Sequence, residues 1–207
     1  RLFLNPALKL THNDGVQTTE LIYADHSVKN IDNNRIETVI QLKDPLYPVF
    51  VNLNFVAYQK ENVICQSVSI SHQEKTRLAV ENISSAYLPL HADSYYLTHF
   101  HGAWASEMQL VEEQLTPGVK RVESKKGIRT TQSENSSFLL SLNGPAYEDM
   151  GEVYAGPLAW SGNYLTSFEV DECGMLHVLT GMNNFASTYN LEPGKILQTP
   201  EMVWTYS

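Results

Sequence analysis

Histidine side chains offer the first candidate chemistry in this sequence. His99 and His101 are two residues apart, so on a strand they would share one face, and His91 and Asp93 lie close to them in sequence. Zinc sites use such pairs, but they need three or four ligands, and no second spaced cluster supplies the rest. We therefore expect no metal and no other cofactor, and we interpret these histidines as structural or surface residues.

Adjacent acidic residues offer a second possibility, because a sugar hydrolase needs two carboxylates across the scissile bond. The available pairs are Glu112-Glu113, Glu148-Asp149 and Asp171-Glu172. Their spacing places none of them about a shared cleft. With a formal net charge of −9, such pairs are expected on solvated turns and edges.

Nucleophilic side chains lack a supporting motif. Ser161-Gly162-Asn163 has no Gly-x-Ser-x-Gly elbow around it, so we predict a hairpin turn there. Two cysteines, Cys65 and Cys173, make one disulfide possible, but free thiols are the simpler expectation. Cys65 lies in a strand pattern, where we expect a buried and inert thiol.

Aromatic residues matter because flat rings stack on the apolar faces of sugars, although they are also ordinary strand and core residues. The chain has 3 tryptophans and 11 tyrosines. Trp160 lies in an apolar run, so we expect it in the core. Trp104 follows Gly102 and is the better candidate for a surface contact.

The elements that would position these residues are strands almost throughout. Residues 49–58 alternate apolar and polar side chains, and residues 63–70 follow after a short polar turn, which predicts a hairpin. Turn residues, including Asn143-Gly144-Pro145, separate the other predicted strands, 18–24, 35–43, 76–80, 95–100, 119–123, 138–142, 153–161, 164–170, 176–180 and 202–206. We predict an all-β fold with little or no helix, one large antiparallel sandwich over residues 1–207.

One segment suggests a helix instead. Trp104, Met108, Val111 and Leu115 have helical spacing, and the residues between them are good helix formers. Periodicity alone would make this segment the only helix of the chain.

Composition excludes some functions. The chain has 207 residues, with 23 acidic and 14 basic side chains, and the basic residues are scattered. Nucleic-acid binding needs clustered Lys and Arg, so we expect no nucleic-acid partner. No apolar run approaches the ~20 residues of a membrane span, so we expect no membrane partner.

Several stretches, in this order, resemble a known module. They include Gly102-Ala103-Trp104-Ala105-Ser106-Glu107, Leu115-Thr116-Pro117-Gly118, Gly151-Glu152-Val153-Tyr154, Trp160-Ser161-Gly162-Asn163-Tyr164 and Leu191-Glu192-Pro193-Gly194. The series is similar to the N-terminal domain of bacterial α-galactosidases of glycoside hydrolase family 36. The resemblance spans essentially the whole chain, and residues 151–207 are its most specific part.

The resemblance implies a β-supersandwich like the galactose mutarotase fold, preceding a (β/α)8 catalytic barrel. It also implies that residues 104–115 are extended, against their local helix propensity. The chain lacks an initiator Met and stops within an extended pattern, so we expect a piece of a longer protein.

In function, the resemblance implies retaining hydrolysis of terminal α-linked galactose, as in melibiose and raffinose, by two barrel aspartates. The family nucleophile sits in a Lys-aromatic-Asp segment that this chain lacks. We therefore expect no catalytic residue here and an inactive fragment. The implied partners are the barrel, α-galactosides through the full enzyme, and further copies of the chain in a homo-oligomer.

In the family, loops of this domain reach the sugar pocket. The resemblance therefore implies four residues at the pocket rim or domain interface: Trp104, Glu107, His101 and Asn163. Two positions depart from the family pattern. Leu2-Phe3-Leu4 stands where the family has Asp-Phe-Arg, and Gln66 stands where it often has Arg.

Two alternatives remain at this stage. Aromatic residues on a β-sandwich are also typical of a stand-alone carbohydrate-binding module. A mutarotase-like enzyme would follow from fold analogy alone, and it would need His91, His99 and His101 to converge with a carboxylate in one cleft.

Overall fold

The computed structural model describes residues 4–129 and 133–207, and within them every regular element is a strand. The strands are β1 (Leu8–Thr11), β2 (Ile22–Asn30), β3 (Arg35–Lys43), β4 (Val49–Tyr58), β5 (Val63–His72), β6 (Leu78–His91), β7 (Tyr95–Ala103), β8 (Ser106–Gln114), β9 (Gly118–Glu123), β10 (Glu134–Tyr147), β11 (Met150–Pro157), β12 (Tyr164–Val170), β13 (Met175–Met182), β14 (Tyr189–Leu191), β15 (Ile196–Gln198) and β16 (Met202–Tyr206). No helix long and apolar enough to cross a membrane occurs in these two ranges.

Ten strands form the larger sheet, in the order β2-β3-β4-β5-β16-β11-β10-β7-β8, with β15 also paired to β5. All of its pairings are antiparallel. On β4, Val49 and Val51 are buried whereas Phe50 is exposed, because successive side chains of a strand point to opposite faces. Strand β16 pairs with β5 on one side and with β11 on the other, so it joins the two halves of this sheet.

Six strands form the second sheet, in the order β1-β6-β13-β12-β9, with β14 also paired to β6. The long strand β6 pairs with β1 and β14 through its first half and with β13 through its second half. The register between β6 and β13 shifts at Thr180/Gly181. A Cβ at Gly181 would lie 3.0 Å from the Ile83 carbonyl oxygen, so the close approach of the two backbones at this shift favours glycine.

The core lies between the two sheets in two hydrophobic clusters. The larger cluster joins residues of both sheets, and the Phe138 ring meets the Phe168 ring edge-on at 4.9 Å and the Trp204 ring at 6.0 Å. The smaller cluster joins Leu10 and Leu78 of one sheet to Val51 and Ile70 of the other. Burial of these side chains is the dominant favourable contribution to the sandwich.

The all-β prediction is confirmed, and so is the hairpin over residues 49–70. The segment with helical spacing forms β8 and the residues around it. Its four apolar residues do not share a face: Leu115 is buried and Val111 is half-buried, but Trp104 and Met108 are exposed. Pairing with β7 therefore overrides helix propensity here.

Three local predictions were wrong. Asn143 and Gly144, expected in a turn, have positive φ angles of 61° and 151° at an irregularity inside β10. Residues 161–163 connect β11 to β12, which belong to different sheets, so they are not a hairpin turn. Trp160 lies beyond the end of β11 and is 41% exposed rather than in the core.

Both cysteines are free, as expected. Cys65 is half-buried rather than fully buried, and its partial burial raises the pKa of its thiol. Leu2 and Phe3, which stand at the family's charged N-terminal run, lie outside the described residues.

Candidate functional site

The tip of the β7–β8 hairpin carries the main candidate residues. Ala103 pairs with Ser106, which leaves Trp104 and Ala105 as the turn. Ala105 has a left-handed φ of 61°, and its backbone N–H donates a 3.1 Å hydrogen bond to Oε1 of Glu107. The Glu107 carboxylate therefore holds the turn that presents Trp104.

Gly102 shapes the hairpin below this turn. The β7–β8 register shifts between His101 and Ala103, and Met108 on the opposite strand has a φ of 57°. A Cβ at Gly102 would lie 2.5 Å from the Ser106 carbonyl oxygen and 2.7 Å from Cα of Glu107. The bulged backbone of β8 therefore comes close enough to β7 to require glycine at this position.

The hairpin exposes an apolar surface, which we call the hairpin patch and define as Trp104, Met108 and Leu110. Trp104 is 84% exposed, and more than half of Met108 and of Leu110 is also exposed. Ile128, in the neighbouring β9–β10 connection, is exposed as well. A grouping of large apolar side chains on one exposed hairpin is typical of an interaction surface.

His101 is exposed on β7, opposite Gln109 of β8 and Glu134 of β10. The structure thus places His101, Trp104 and Glu107 on one hairpin.

Asn163 lies on a different loop, between β11 and β12. Its side-chain carbonyl accepts a 2.7 Å hydrogen bond from the Gly127 N–H, and its backbone carbonyl accepts one of 3.1 Å from the Trp160 indole. The β9–β10 connection contacts both loops, because the Gly102 N–H donates to the Ser133 carbonyl at 2.8 Å. Gly127 of this connection thus bonds to Asn163, and Ser133 of the same connection bonds to the hairpin.

The three histidines considered at the start do not converge. His91 ends β6 in the six-stranded sheet and is exposed, whereas His99 and His101 lie in the ten-stranded sheet. His99 is buried and its Nε2 atom is 3.1 Å from Oε1 of Glu113. This dispersion contradicts the mutarotase-like arrangement. Across residues 4–129 and 133–207, no three His, Cys, Asp or Glu side chains are grouped to hold a metal ion.

The acidic pairs are also separate from one another. Glu113 forms an ion pair with Lys120, which lowers the pKa of the Glu113 carboxyl. Asp171 is buried and bonded to His177, while Glu148 and Asp149 occupy the exposed turn between β10 and β11. None of these pairs faces another across a cleft in a way that suits glycoside hydrolysis.

Sequence reasoning missed an aromatic groove of about 300 Å³, whose lining includes Phe55, Tyr87, Tyr154, Trp204 and Tyr206. The Tyr154 and Tyr206 rings are 4.8 Å apart, and Asn62 and Gln66 supply amide groups at the groove. These residues come from β4, β5, β6, β11 and β16 and from the β4–β5 turn, so no local sequence signal could have assembled them.

Comparisons with known proteins bear on the function of these features. Residues 1–192 match the family described as the glycosyl hydrolase family 36 N-terminal domain. The chain is 32% identical to α-galactosidase AgaA of Geobacillus stearothermophilus, and the match covers 99% of this chain and 30% of AgaA. It is 28% identical to α-galactosidase Mel36A of Lactobacillus acidophilus, over 88% of this chain and 25% of Mel36A.

Solved structures agree in fold. The crystal structure of AgaA superposes with a TM-score of 0.92 over 99% of this chain, and that of a Lactobacillus brevis α-galactosidase, 26% identical, with a TM-score of 0.91. This chain spans 30% of the AgaA chain and 29% of the L. brevis chain. The chain belongs to glycoside hydrolase family 36, in which it corresponds to the N-terminal domain.

Proposed function

We propose that this chain is the non-catalytic N-terminal domain of a longer, retaining α-galactosidase that hydrolyses terminal α-linked galactose. The relatives that it matches are α-galactosidases more than three times its length, since it covers 30% of AgaA. Variants of AgaA have been crystallised with raffinose and with stachyose. We assign substrates of this raffinose and melibiose type to the longer protein, and its chemistry to a (β/α)8 barrel.

In this proposal residues 1–207 form one domain that supports the barrel, the rim of its pocket and contacts between subunits. The observation that carries the proposed rim role is the 84% exposure of Trp104 on a turn fixed by Glu107. A large apolar side chain exposed on a turn whose backbone is already fixed costs less ordering on binding, which suits it to contact a sugar or a second domain. We assign His101, on β7 of the same hairpin, and Asn163, on the β11–β12 loop, to the same rim or interface.

The test is Trp104→Ala in the longer protein. We expect a raised KM for raffinose with little change in kcat or in thermal stability, because the exposed ring contributes little to folding. Tyr23→Ala is the matched control: Tyr23 is also exposed, on β2 at the opposite edge of the ten-stranded sheet. Unchanged KM and unchanged oligomeric state in Trp104→Ala would contradict the rim and interface role.

The inactivity of the fragment has its own test. The purified 207-residue chain should release no galactose from melibiose or from a nitrophenyl α-galactoside. Turnover above that of buffer, abolished by heat denaturation, would show that the chain carries catalytic groups of its own.

A second candidate function, sugar binding by this domain, is favoured by the aromatic groove around Tyr154 and Tyr206. Rings with amide groups beside them suit the apolar face and the hydroxyls of a pyranose. Titration of the isolated chain with galactose and raffinose should then give millimolar or tighter binding that Tyr154→Ala removes. No binding by the unaltered chain would leave only the supporting role.

A further inference from the structure

A cavity of about 270 Å³ lies where the β11–β12 loop meets the β13–β14 connection. Its lining includes Trp160 from the loop, Asn184 from the connection, Tyr189 of β14 and Asn82 of β6, and we call it the Trp160 cavity. Trp160 is 41% exposed and Tyr189 is 53% exposed. Within the described part of the chain, the Trp160 cavity shares no lining residue with the aromatic groove around Tyr154.

The Trp160 indole is held in one orientation at the edge of this cavity. Its Nε1 atom donates a 3.1 Å hydrogen bond to the backbone carbonyl of Asn163, three residues further along the same loop. Gly162 lies against the ring, because a Cβ at that position would be 2.6 Å from Nε1 and 2.7 Å from Cε2 of the indole. A ring that is already fixed costs less ordering when a ligand stacks on it.

The facing wall of the cavity is fixed as well. Tyr189 belongs to β14, which pairs with β6. The side-chain amide of Asn184 donates a 3.0 Å hydrogen bond to the Glu81 carbonyl, and the buried Asn183 accepts the Phe185 N–H through its side-chain oxygen at 2.9 Å. Both walls are therefore preformed, as is usual for a site that binds a small molecule.

The charge of the lining indicates the class of ligand. Among the described residues that line the cavity, Glu81 is the only one with a formal charge, and its carboxylate is paired with Lys9 and accepts a hydrogen bond from Thr11. An ionic ligand would find no unpaired opposite charge there. The amides of Asn82 and Asn184 offer both donors and acceptors, which suit a neutral ligand rich in hydroxyl groups.

We propose that the Trp160 cavity binds one pyranose ring of a neutral saccharide. The Trp160 indole stacks on the apolar face of the ring, Tyr189 forms the exposed rim, and the amides of Asn82 and Asn184 bond to the hydroxyl groups. A volume of about 270 Å³ is just below the range of pockets for drug-sized ligands, which suits a single ring. The site does not depend on the catalytic activity proposed for the longer protein.

The first test follows indole N–H resonances by heteronuclear NMR. Trp160 lines this cavity and Trp204 lines the aromatic groove, so each resonance reports on one place, and Trp160→Phe identifies the Trp160 signal by its loss. Titration of the 207-residue chain with methyl α-galactopyranoside, methyl α-glucopyranoside and raffinose should shift the Trp160 resonance and reach saturation at millimolar concentrations. Sorbitol has hydroxyl groups but no ring face, so it should not shift this resonance.

Three results of this titration would overturn the proposal. They are a Trp160 resonance that no pyranoside shifts, shifts confined to the Trp204 resonance, and an equal shift of the Trp160 resonance with sorbitol.

The second test uses variants that keep the reporting indole. Tyr189→Ala should weaken pyranoside binding about tenfold. Phe185→Ala is the matched control, because Phe185 is an exposed aromatic residue of the same connection that does not line the cavity, and it should bind like the unaltered chain. Asn184→Ala, at a second exposed lining residue, replaces Tyr189→Ala if urea denaturation shows that the tyrosine variant is destabilised. Equal affinity in the lining variant and the control would contradict the site.

Discussion

His177 donates a 2.9 Å hydrogen bond from Nε2 to Oδ2 of Asp171, and both side chains are buried. Oδ1 of the same carboxylate accepts the backbone N–H groups of Cys173 and Met175 at 2.8 and 2.9 Å, so Asp171 also closes the β12–β13 turn. The Tyr87 hydroxyl, 2.7 Å from Nδ1 of His177, completes the chain of bonds. The hydrogen bond from His177, followed by the backbone N–H groups, lowers the pKa of Asp171 below its ordinary value of 3.8.

Asp171→Asn should therefore destabilise the chain at pH 7 and much less at acid pH. A carboxyl with a lowered pKa in the folded state contributes stability above its unfolded pKa, and that stability is lost as the pH falls through the folded pKa. Urea denaturation at pH 7 and at pH values below 3.8 should show the gap between Asp171→Asn and the unaltered chain closing. Glu172→Gln, at the exposed neighbour, is the control. An equal gap at both pH values would contradict the ionic role of Asp171.

Gly102→Ala should destabilise the β7–β8 hairpin by roughly 1–3 kcal/mol, the usual cost of forcing atoms into occupied space. The new Cβ would meet backbone atoms of Ser106 and Glu107, which cannot move without opening the bulge. Urea denaturation measures the change in the free energy of unfolding. A change in hydrogen exchange at the Ala105 amide shows that the effect is at the hairpin. Gln109→Ala, an exposed change on the same hairpin, should leave both readouts near those of the unaltered chain.

Gly156→Ala should destabilise the larger core cluster by roughly 1–3 kcal/mol. A Cβ there would lie 2.3 Å from Cε of Met202 and 2.8 Å from Cζ of Phe138. Met202→Leu removes the first of these atoms, so the double variant should be more stable than the sum of the two single changes predicts. If the changes in the free energy of unfolding, measured with urea, are strictly additive, the clash is relieved by atoms other than Cε of Met202.

Glu107→Ala should change global stability by less than about 0.5 kcal/mol, since Glu107 is exposed. Locally, the Ala105 N–H loses its carboxylate acceptor, so its amide should exchange with solvent faster. Glu107→Gln keeps an acceptor oxygen at the same distance and should exchange at nearly the original rate. Equal exchange in all three proteins would mean that the carboxylate does not hold the turn.

Strand positions were predictable where one face of a strand is buried. The predicted bounds 49–58 and 164–170 match β4 and β12, and on β4 the buried Val49 and Val51 alternate with the exposed Phe50. The helical spacing of apolar residues in 104–115 gave a wrong prediction because Trp104 and Met108 are apolar yet exposed. The spacing therefore does not mark a single buried face. Asn143-Gly144 could not be assigned because bulges and turns use the same residue types.

The candidate site was predictable only in part. His101, Trp104 and Glu107 are neighbours in sequence, and a two-residue turn is enough to bring them together. The contacts of His99 with Glu113 and Glu134 depend on the register of β7 with β8 and β10. Register between distant strands is set by tertiary packing, so these contacts of His99 could not be deduced from one sequence.

The position of β16 has a consequence for synthesis. Residues 202–206 pair with β5 on one side and β11 on the other, in the middle of the ten-stranded sheet. Until these residues leave the ribosome, β5 and β11 present unpaired backbone N–H and C=O groups that can join strands of another chain. A recombinant domain cut at residue 192, where the family match ends, would keep those edges open permanently and should aggregate.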